Sequence, residues 1–333
     1  MAEVGRVGTV SSEPGMLRAS MTIQVPTLPP ARVHVGVVPK WDMNDLILRN
    51  CPVCGASESE PLCERPDGLT VDTCRACEMM FVGKLPSSRQ LTNHYQTYAS
   101  RKGYSRAGRM SWLQRVALCS QSLYAEALQQ TGGILGRRVL DVGCSTGVFM
   151  EVIRFQGGLP EGVEIDASAR EEARKRGFSV MEEIPSTGQY DVTLAFQVLE
   201  HLHAPGDMLA AMARLTKPDG RILLAMPNAT EVSNLGRDWL GFRVDLEHFN
   251  YFTIATVAEL LRRHGILIEH FWEHRQPAII RTDIDESHVQ LSLRQRVNMR
   301  IQRRAVAFSR ILFPPAERFQ EGSFVLSLLA RKA

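Results

Sequence analysis

The chain has 333 residues, 44% of them hydrophobic, and carries 39 Lys and Arg against 36 Asp and Glu, for a net charge of +3. This length leaves room for about two domains, and so small a positive surplus gives little electrostatic reason to expect a nucleic acid as partner. No apolar stretch reaches the roughly 18 residues needed to span a bilayer, and the first 40 residues lack a compact secretion signal; a cytoplasmic protein is expected.

Residues 1–47 contain Pro14, Pro26, Pro29, Pro30 and Pro39 without a helical period, which predicts a flexible N-terminal tail. Met21 is an alternative start. The next segment, 48–110, holds four of the seven cysteines as Cys51-x2-Cys54 and Cys74-x2-Cys77, with 19 residues between the pairs. Two such knuckles can close a tetrahedron of thiolates, so the spacing predicts a Zn2+ site. Four protein ligands leave no position for water, which makes the site structural. Cys63 between the knuckles reads as a bystander and Cys119 as core. Tyr95, Tyr98 and Tyr104, with Arg101, Lys102 and Arg106, either cover the mouth of a site as a lid or simply pack a helix on the domain. Trp112, Val116, Leu123 and Leu128 recur at near-helical spacing and predict a helix over 111–130.

The run from Arg138 to Met150 reads as a buried strand ending in Asp141, then a turn spaced by Gly143 and Gly147, then an amphipathic helix. Such a turn at the carboxyl end of a parallel strand opens a crevice for a nucleotide-like ligand. Three chemistries compete for it. A dinucleotide fingerprint wants glycine where Ser145 and Val148 stand. Gly143-Cys144-Ser145-Thr146-Gly147 matches the G-x-S-x-G elbow of α/β-hydrolases. The sequence VLDVGCSTG also resembles the first motif of class I S-adenosylmethionine (SAM) methyltransferases. Glu164, 23 residues after Asp141 and ending the next apolar run, decides among them. An acid there is placed to hold both hydroxyls of a ribose, which a hydrolase has no use for.

Beyond Glu164 strand-like and helix-like segments alternate: a helix over 167–176, a short strand over 178–181, a buried strand over 190–196 and a helix over 205–215. A turn follows at Lys217-Pro218-Asp219-Gly220, then strands over 221–226, 266–271 and 323–330 and a helix over 253–264. The expected fold is α/β, a doubly wound Rossmann-like sheet of seven strands over 111–333, with a small N-terminal zinc-knuckle module. Two clusters carry candidate chemistry. Glu200 and His201 follow the fourth strand, and Glu247 and His248 follow the fifth, in the run Asp245 to Thr253. Imidazole titrates near neutral pH, so His201 or His248 is the candidate general base, oriented by Glu200 or Glu247.

Together the knuckles, the SAM turn, LEHL at 199–202 and HFNYF at 248–252 resemble a methyltransferase subgroup with a four-cysteine module ahead of the SAM domain. That subgroup includes deoxysugar C-methyltransferases and enzymes of natural-product pathways. The resemblance implies SAM as cofactor, with Asp141, Gly143, Cys144, Ser145, Gly147, Glu164, Ile165, Phe196 and Gln197 around it, and an antiparallel last strand. It implies a small-molecule acceptor, a sugar, nucleotide-sugar or natural-product intermediate, methylated on carbon or oxygen. Quinone-type O-methyltransferases resemble the same region and can hold a cation near an E-x-x-E-H motif; Gln197 stands here where the first acid would be, which disfavours a catalytic metal. An rRNA or tRNA base methyltransferase and a non-catalytic SAM-fold adaptor are the alternatives. Leu293, Val297, Ile301, Ala305, Phe308 and Leu312, with arginines mostly off that stripe, predict a basic amphipathic helix inserted at about 290–313. It either packs on the domain or touches an anionic acceptor or a membrane surface. A monomer or homodimer is expected.

Overall fold

The computed structural model describes residues 7–8, 38–95, 115, 127–243, 245–274 and 325–333. Most of the expected tail, Tyr98, Tyr104, nearly all of the helix expected over 111–130 and the basic insertion at about 290–313 lie outside the described residues. The described residues belong to one contact unit; a second, 17–37 and 276–322, lies wholly outside them. Among the described residues no helix is long and apolar enough to cross a membrane.

Within the expected tail, Val7–Gly8 forms a two-residue strand, β1. Leu46–Leu48 (β2), Ser59–Glu64 (β3), Thr70–Cys74 (β4), Met80–Val82 (β5) and Lys84–Pro86 (β6) build the cysteine module, and Ser88–Tyr95 (α1) follows. β3, β4 and β5 form an antiparallel meander, while β2 pairs with β6.

The large sheet then takes Arg138–Val142 (β7), Val148–Phe155 (α2), Leu159–Val163 (β8), Ala167–Lys175 (α3), Ser179–Met181 (β9), Tyr190–Phe196 (β10), Pro205–Leu215 (α4) and Thr216–Pro227 (β11). Asn250–Tyr251 (β12) comes next in the chain, and Ile254–Arg263 (α5), Ile266–His274 (β13) and Val325–Lys332 (β14) complete the large sheet and its helices. The strand order is β1-β13-β14-β11-β10-β7-β8-β9. β7 to β11 pair in parallel, and β14 lies antiparallel between β11 and β13. The sheet is the expected seven-stranded one plus β1 on its edge, where Val7 faces Trp272. Helices cover its faces, so its strands are buried on both sides and read as continuous apolar runs: Leu140, Leu194, Leu223 and Leu224 are fully buried. Each such leucine contributes about 1.5–3 kcal/mol.

Lys217 to Gly220 are not the separate turn expected ahead of the strand over 221–226. They bulge within β11, where Tyr190 faces Thr216 but Val192 faces Arg221. The Lys217 ammonium lies 2.6 Å from the Asp191 carboxylate across this bulge, which anchors it.

β12 belongs to the other sheet. It pairs with β5 as the outer strand of the module, so residues 250–251 complete a sheet begun at residue 59. One hydrophobic cluster joins Leu69, Val71 and Leu85 of the module to Trp239, Phe242, Phe249 and Tyr251.

The chain runs outward from β7 through β8 to β9, then crosses back to place β10 on the other side of β7. This reversal leaves a crevice at the carboxyl ends of β7 and β10, where ligands bind in open α/β sheets.

Candidate active site

The glycine turn follows β7 directly. Gly143 and Gly147 sit at φ +79° and +74°, in the left-handed region open to glycine at little cost. A Cβ on Gly143 would lie 2.5 Å from Cγ2 of Val198, just past the end of β10. Gly143→Ala is therefore expected to push the two strand ends apart and abolish cofactor-site binding while leaving a folded chain, as calorimetry and circular dichroism would show.

Of the four non-glycine residues at positive φ among the described residues, two flank the crevice: Ser145 at φ +49° and Gln197 at φ +58°. Such conformations cost about 1–3 kcal/mol each and cluster at ligand clamps. They stand at the ends of β7 and β10, on the two sides of the crevice. Two buried polar atoms lie at the same strand ends without a protein partner, Oδ2 of Asp141 and Nε2 of Gln197. An orphaned buried acceptor and donor at one crevice fit a polar ligand that would satisfy both.

Asp141 is fully buried, and burial, helped by the nearby Glu164 carboxyl, pushes its pKa up to about 8. Glu164 is also raised by burial, opposed by main-chain donors. Its Oε2 accepts from Ser145 N at 2.9 Å and its Oε1 from Asp166 N at 2.8 Å, so it braces the turn from β8. The adjacent acid does other work: Asp166 caps α3 by accepting from the amides of Ser168 and Ala169. Ile165 is two-thirds exposed beside Glu164, an apolar surface at the rim. Cys144 is buried, and burial with the Asp141 and Glu164 carboxyls holds its thiol far above the ordinary range, which makes it inert. Phe196 stacks edge-on against Phe149 of α2 with centroids 5.1 Å apart.

Just beyond, the two candidate catalytic clusters come together. The ligating atoms of Glu200, His201 and His248 all lie within 4.8 Å of one another, and the two imidazoles meet edge-on at 4.7 Å. His201 Nδ1 lies 3.0 Å from the main-chain carbonyl of Glu247 and 3.2 Å from the Tyr95 hydroxyl. A carbonyl only accepts, so Nδ1 carries the proton and the basic lone pair of neutral His201 is on Nε2. Glu247 thus reaches His201 through its main chain. Glu200 is fully buried, and burial pushes its carboxyl up to about 8.

Comparison with known proteins bears on this arrangement. Residues 112–270 match the family model described as a methyltransferase domain. This stretch, which holds the glycine turn and both histidine segments, is thus similar to methyltransferase domains. Its curated relatives include the ubiquinone biosynthesis O-methyltransferase of Escherichia coli O9:H4 (strain HS), 33% identical over 132 residues, which are 36% of this chain and 53% of the relative. Another is the enzyme of the same description from Aeromonas salmonicida (strain A449), 31% identical over 149 residues, 40% of this chain and 63% of the relative. The chain thus spans between half and two thirds of these relatives. Among solved structures, magnesium protoporphyrin IX methyltransferase from Synechocystis PCC 6803 with bound S-adenosylhomocysteine (SAH) is similar at a TM-score of 0.44 and 14% identity, covering 74% of this chain and 100% of that chain.

The large sheet is joined to the cysteine module by contacts that the sequence does not announce. The two knuckles share one backbone pattern. Cys51 N donates to Ala56 O and Gly55 N to Cys51 O, while Cys74 N donates to Met79 O and Glu78 N to Cys74 O. Gly55 and Glu78 occupy matching left-handed positions, at φ +78° and +61°. The sulfurs of Cys51 and Cys77, and of Cys54 and Cys74, lie 3.5 Å apart, and all four fall within 4.8 Å. A tetrahedral Zn2+ with bonds of about 2.3 Å sets its sulfurs about 3.8 Å apart, so the donor set fits. Burial pushes the Cys51 thiol up to about 11, an unfavourable setting for thiolates that a divalent cation would reverse.

Arg49, Arg65, Tyr95 and Asn250 were not singled out as site residues by spacing, except that Tyr95 belongs to the tyrosine segment. Arg65 is buried with Asp67, 2.5 Å apart, and donates to the carbonyls of Leu246 and His248 and to the Tyr251 hydroxyl. Arg49 and Arg65 lie in no motif, because their partners are mostly main-chain carbonyls, whereas Asn250 falls within the HFNYF run.

Proposed function

We propose that the protein transfers a methyl group from SAM to a small-molecule acceptor. The observation that carries the proposal is the crevice between β7 and β10, where two strained residues and two orphaned buried polar atoms converge beside Glu164. Asp141 would meet the amino group of the cofactor, Glu164 its ribose hydroxyls and Ile165 a face of its adenine. When bound, SAM supplies an electrophilic methyl on a positively charged sulfur.

The chain's own residues must then position the acceptor and take its proton. His201 is the base we favour, since Glu247 O fixes its proton on Nδ1 and Tyr95 backs the same nitrogen. Holding the reacting groups in line supplies much of the rate. The base adds typically 10²–10⁴-fold. The relatives' description as O-methyltransferases favours a hydroxyl acceptor, and the resemblance of the four-cysteine module favours a sugar or natural product. Together they define the first acceptors to test, nucleotide-sugars and phenols.

Titration calorimetry with SAM and SAH, followed by transfer of labelled methyl to these acceptors, tests the reading. Glu164→Ala is expected to weaken SAH binding by about 100-fold, the loss of two charge-assisted hydrogen bonds at roughly 1.5 kcal/mol each. Absence of heat with either ligand on folded wild-type protein would overturn the proposal. Turnover of rRNA but of no small molecule would favour the nucleic-acid alternative.

A further inference from the structure

Arg49 lies two residues before the first knuckle cysteine, yet its guanidinium reaches both histidine segments. Nε donates to Val82 O at 3.0 Å. Nη1 donates to His203 O at 2.9 Å and, more weakly, to Leu202 O at 3.5 Å. Nη2 donates to Phe249 O and to Oδ1 of Asn250, each at 2.9 Å. The acceptors come from three places: the module, the turn after His201 and the strand after His248.

Asn250 doubles the connection. Its Nδ2 donates to Leu199 O at 2.9 Å and to Leu202 O at 2.7 Å, on either side of Glu200 and His201. Phe249 N donates to Glu200 O at 2.7 Å, and Phe249 O accepts from Val82 N at 2.9 Å. The peptides flanking His201 and His248 are thus fixed to each other and to the module.

We propose that Arg49 is a positioning residue that sets the distance and orientation between His201 and His248 by holding their two backbone segments on the cysteine module. A planar fork of five donors can span such divergent acceptors at once. A lysine ammonium keeps the charge, but as a point donor with three protons it cannot reach across the same span. The guanidinium is part-buried and, like arginines generally, stays protonated. Charged and partly shielded from water, it depends on these carbonyls for solvation, which makes their spacing costly to change. The cysteine module accordingly acts as the abutment against which the base is aligned.

The proposal rests on the methyltransferase reading for its chemistry, but its test needs no acceptor. The full-length, metal-loaded chain is labelled at histidine and titrated by NMR, with ring signals assigned through His201→Gln and His248→Gln. SAH affinity is measured in parallel. Arg49→Lys is expected to retain cooperative melting and to bind SAH within about twofold of wild type, because the Arg49 hydrogen bonds go to residues 82, 202, 203, 249 and 250 and to none of the crevice residues from Asp141 to Glu164. It is expected to shift the titration of His201 or His248 by about half a pH unit or more and to abolish the cross-peak between the two rings.

Unchanged titrations and an intact cross-peak in a folded Arg49→Lys would overturn the positioning role. Should that variant fail to fold, Asn250→Ala decides, since it removes the amide joining the same segments while sparing the Arg49 charge. Altered ring signals there support the proposal, and unaltered ones refute it. Wild-type protein that binds no SAH would instead overturn the methyltransferase reading, leaving the histidine result to stand alone.

Discussion

Stripping metal from the four-cysteine centre is expected to lower the melting temperature by about 10 °C or more and to loosen both histidine segments along with the knuckles. Binding at structural Zn2+ sites is worth about 10–16 kcal/mol in small zinc-finger peptides, comparable with or above the roughly 5–15 kcal/mol total stability of a typical domain. In this chain the module is not an appendage that can melt alone. Cys51, Val53, Cys74, Met79 and Phe81 share a core with Leu199, Met208, Leu224 and Phe252. Asn250 and Tyr251 are a strand of the module's own sheet. Loss of the tetrahedron would release β4 and β5, and through β12 the segment that carries His248. Metal analysis of the purified chain should return about one Zn2+ per polypeptide, and Cys77→Ser should reproduce the destabilisation seen with a chelator. A chain that contains no metal as isolated and melts identically with and without chelator would sink the assignment.

The candidate site is legible in sequence where side-chain identity recurs at fixed spacing. Asp141, the Gly143–Gly147 turn and Glu164 sit at the ends of adjacent strands, because an apolar run, a glycine turn and a second apolar run leave few other arrangements. The knuckles were legible for a similar reason: two cysteines two residues apart, twice. What the sequence did not reveal is carried by the main chain or by chain-distant pairing. Arg49 bonds to carbonyls of residues 202, 203 and 249, which have no sequence signature. β12 has only two residues, too short for any periodicity. Gln197 adopts a left-handed backbone that glutamine does not advertise, and Lys217-Pro218-Asp219-Gly220 reads as a turn although β11 absorbs it as a bulge. The Asp245 to Thr253 run stood out as a cluster of candidate groups, but its sequence did not show that it completes the module's sheet.

Glu200→Gln is expected to stabilise the protein above about pH 8 and to leave it unchanged near pH 4. Both carboxylate oxygens of Glu200 are buried without a hydrogen-bond partner, and burial raises the folded-state pKa to about 8 from an ordinary value of 4.5. Between those values the folded chain holds a proton that the unfolded chain has released. Stability linked to Glu200 is therefore fully present below pH 4.5 and is lost as the pH rises through 8. The slope approaches 1.4 kcal/mol per pH unit. An amide is close in shape to the neutral acid and never ionises, so the variant should lack this slope. Subtracting the variant's melting curve from the wild type's across pH 4 to 9 removes the contribution of every other titrating group, Asp141 included. The difference should reach several degrees at the alkaline end, about 2–4 °C for each kcal/mol in a domain of this size. Parallel pH profiles for the two proteins would mean that Glu200 is ionised in the fold, held by its histidine neighbours rather than neutralised by burial. In that case His201 would face a carboxylate, and its basicity would come from that charge as well as from the Glu247 carbonyl.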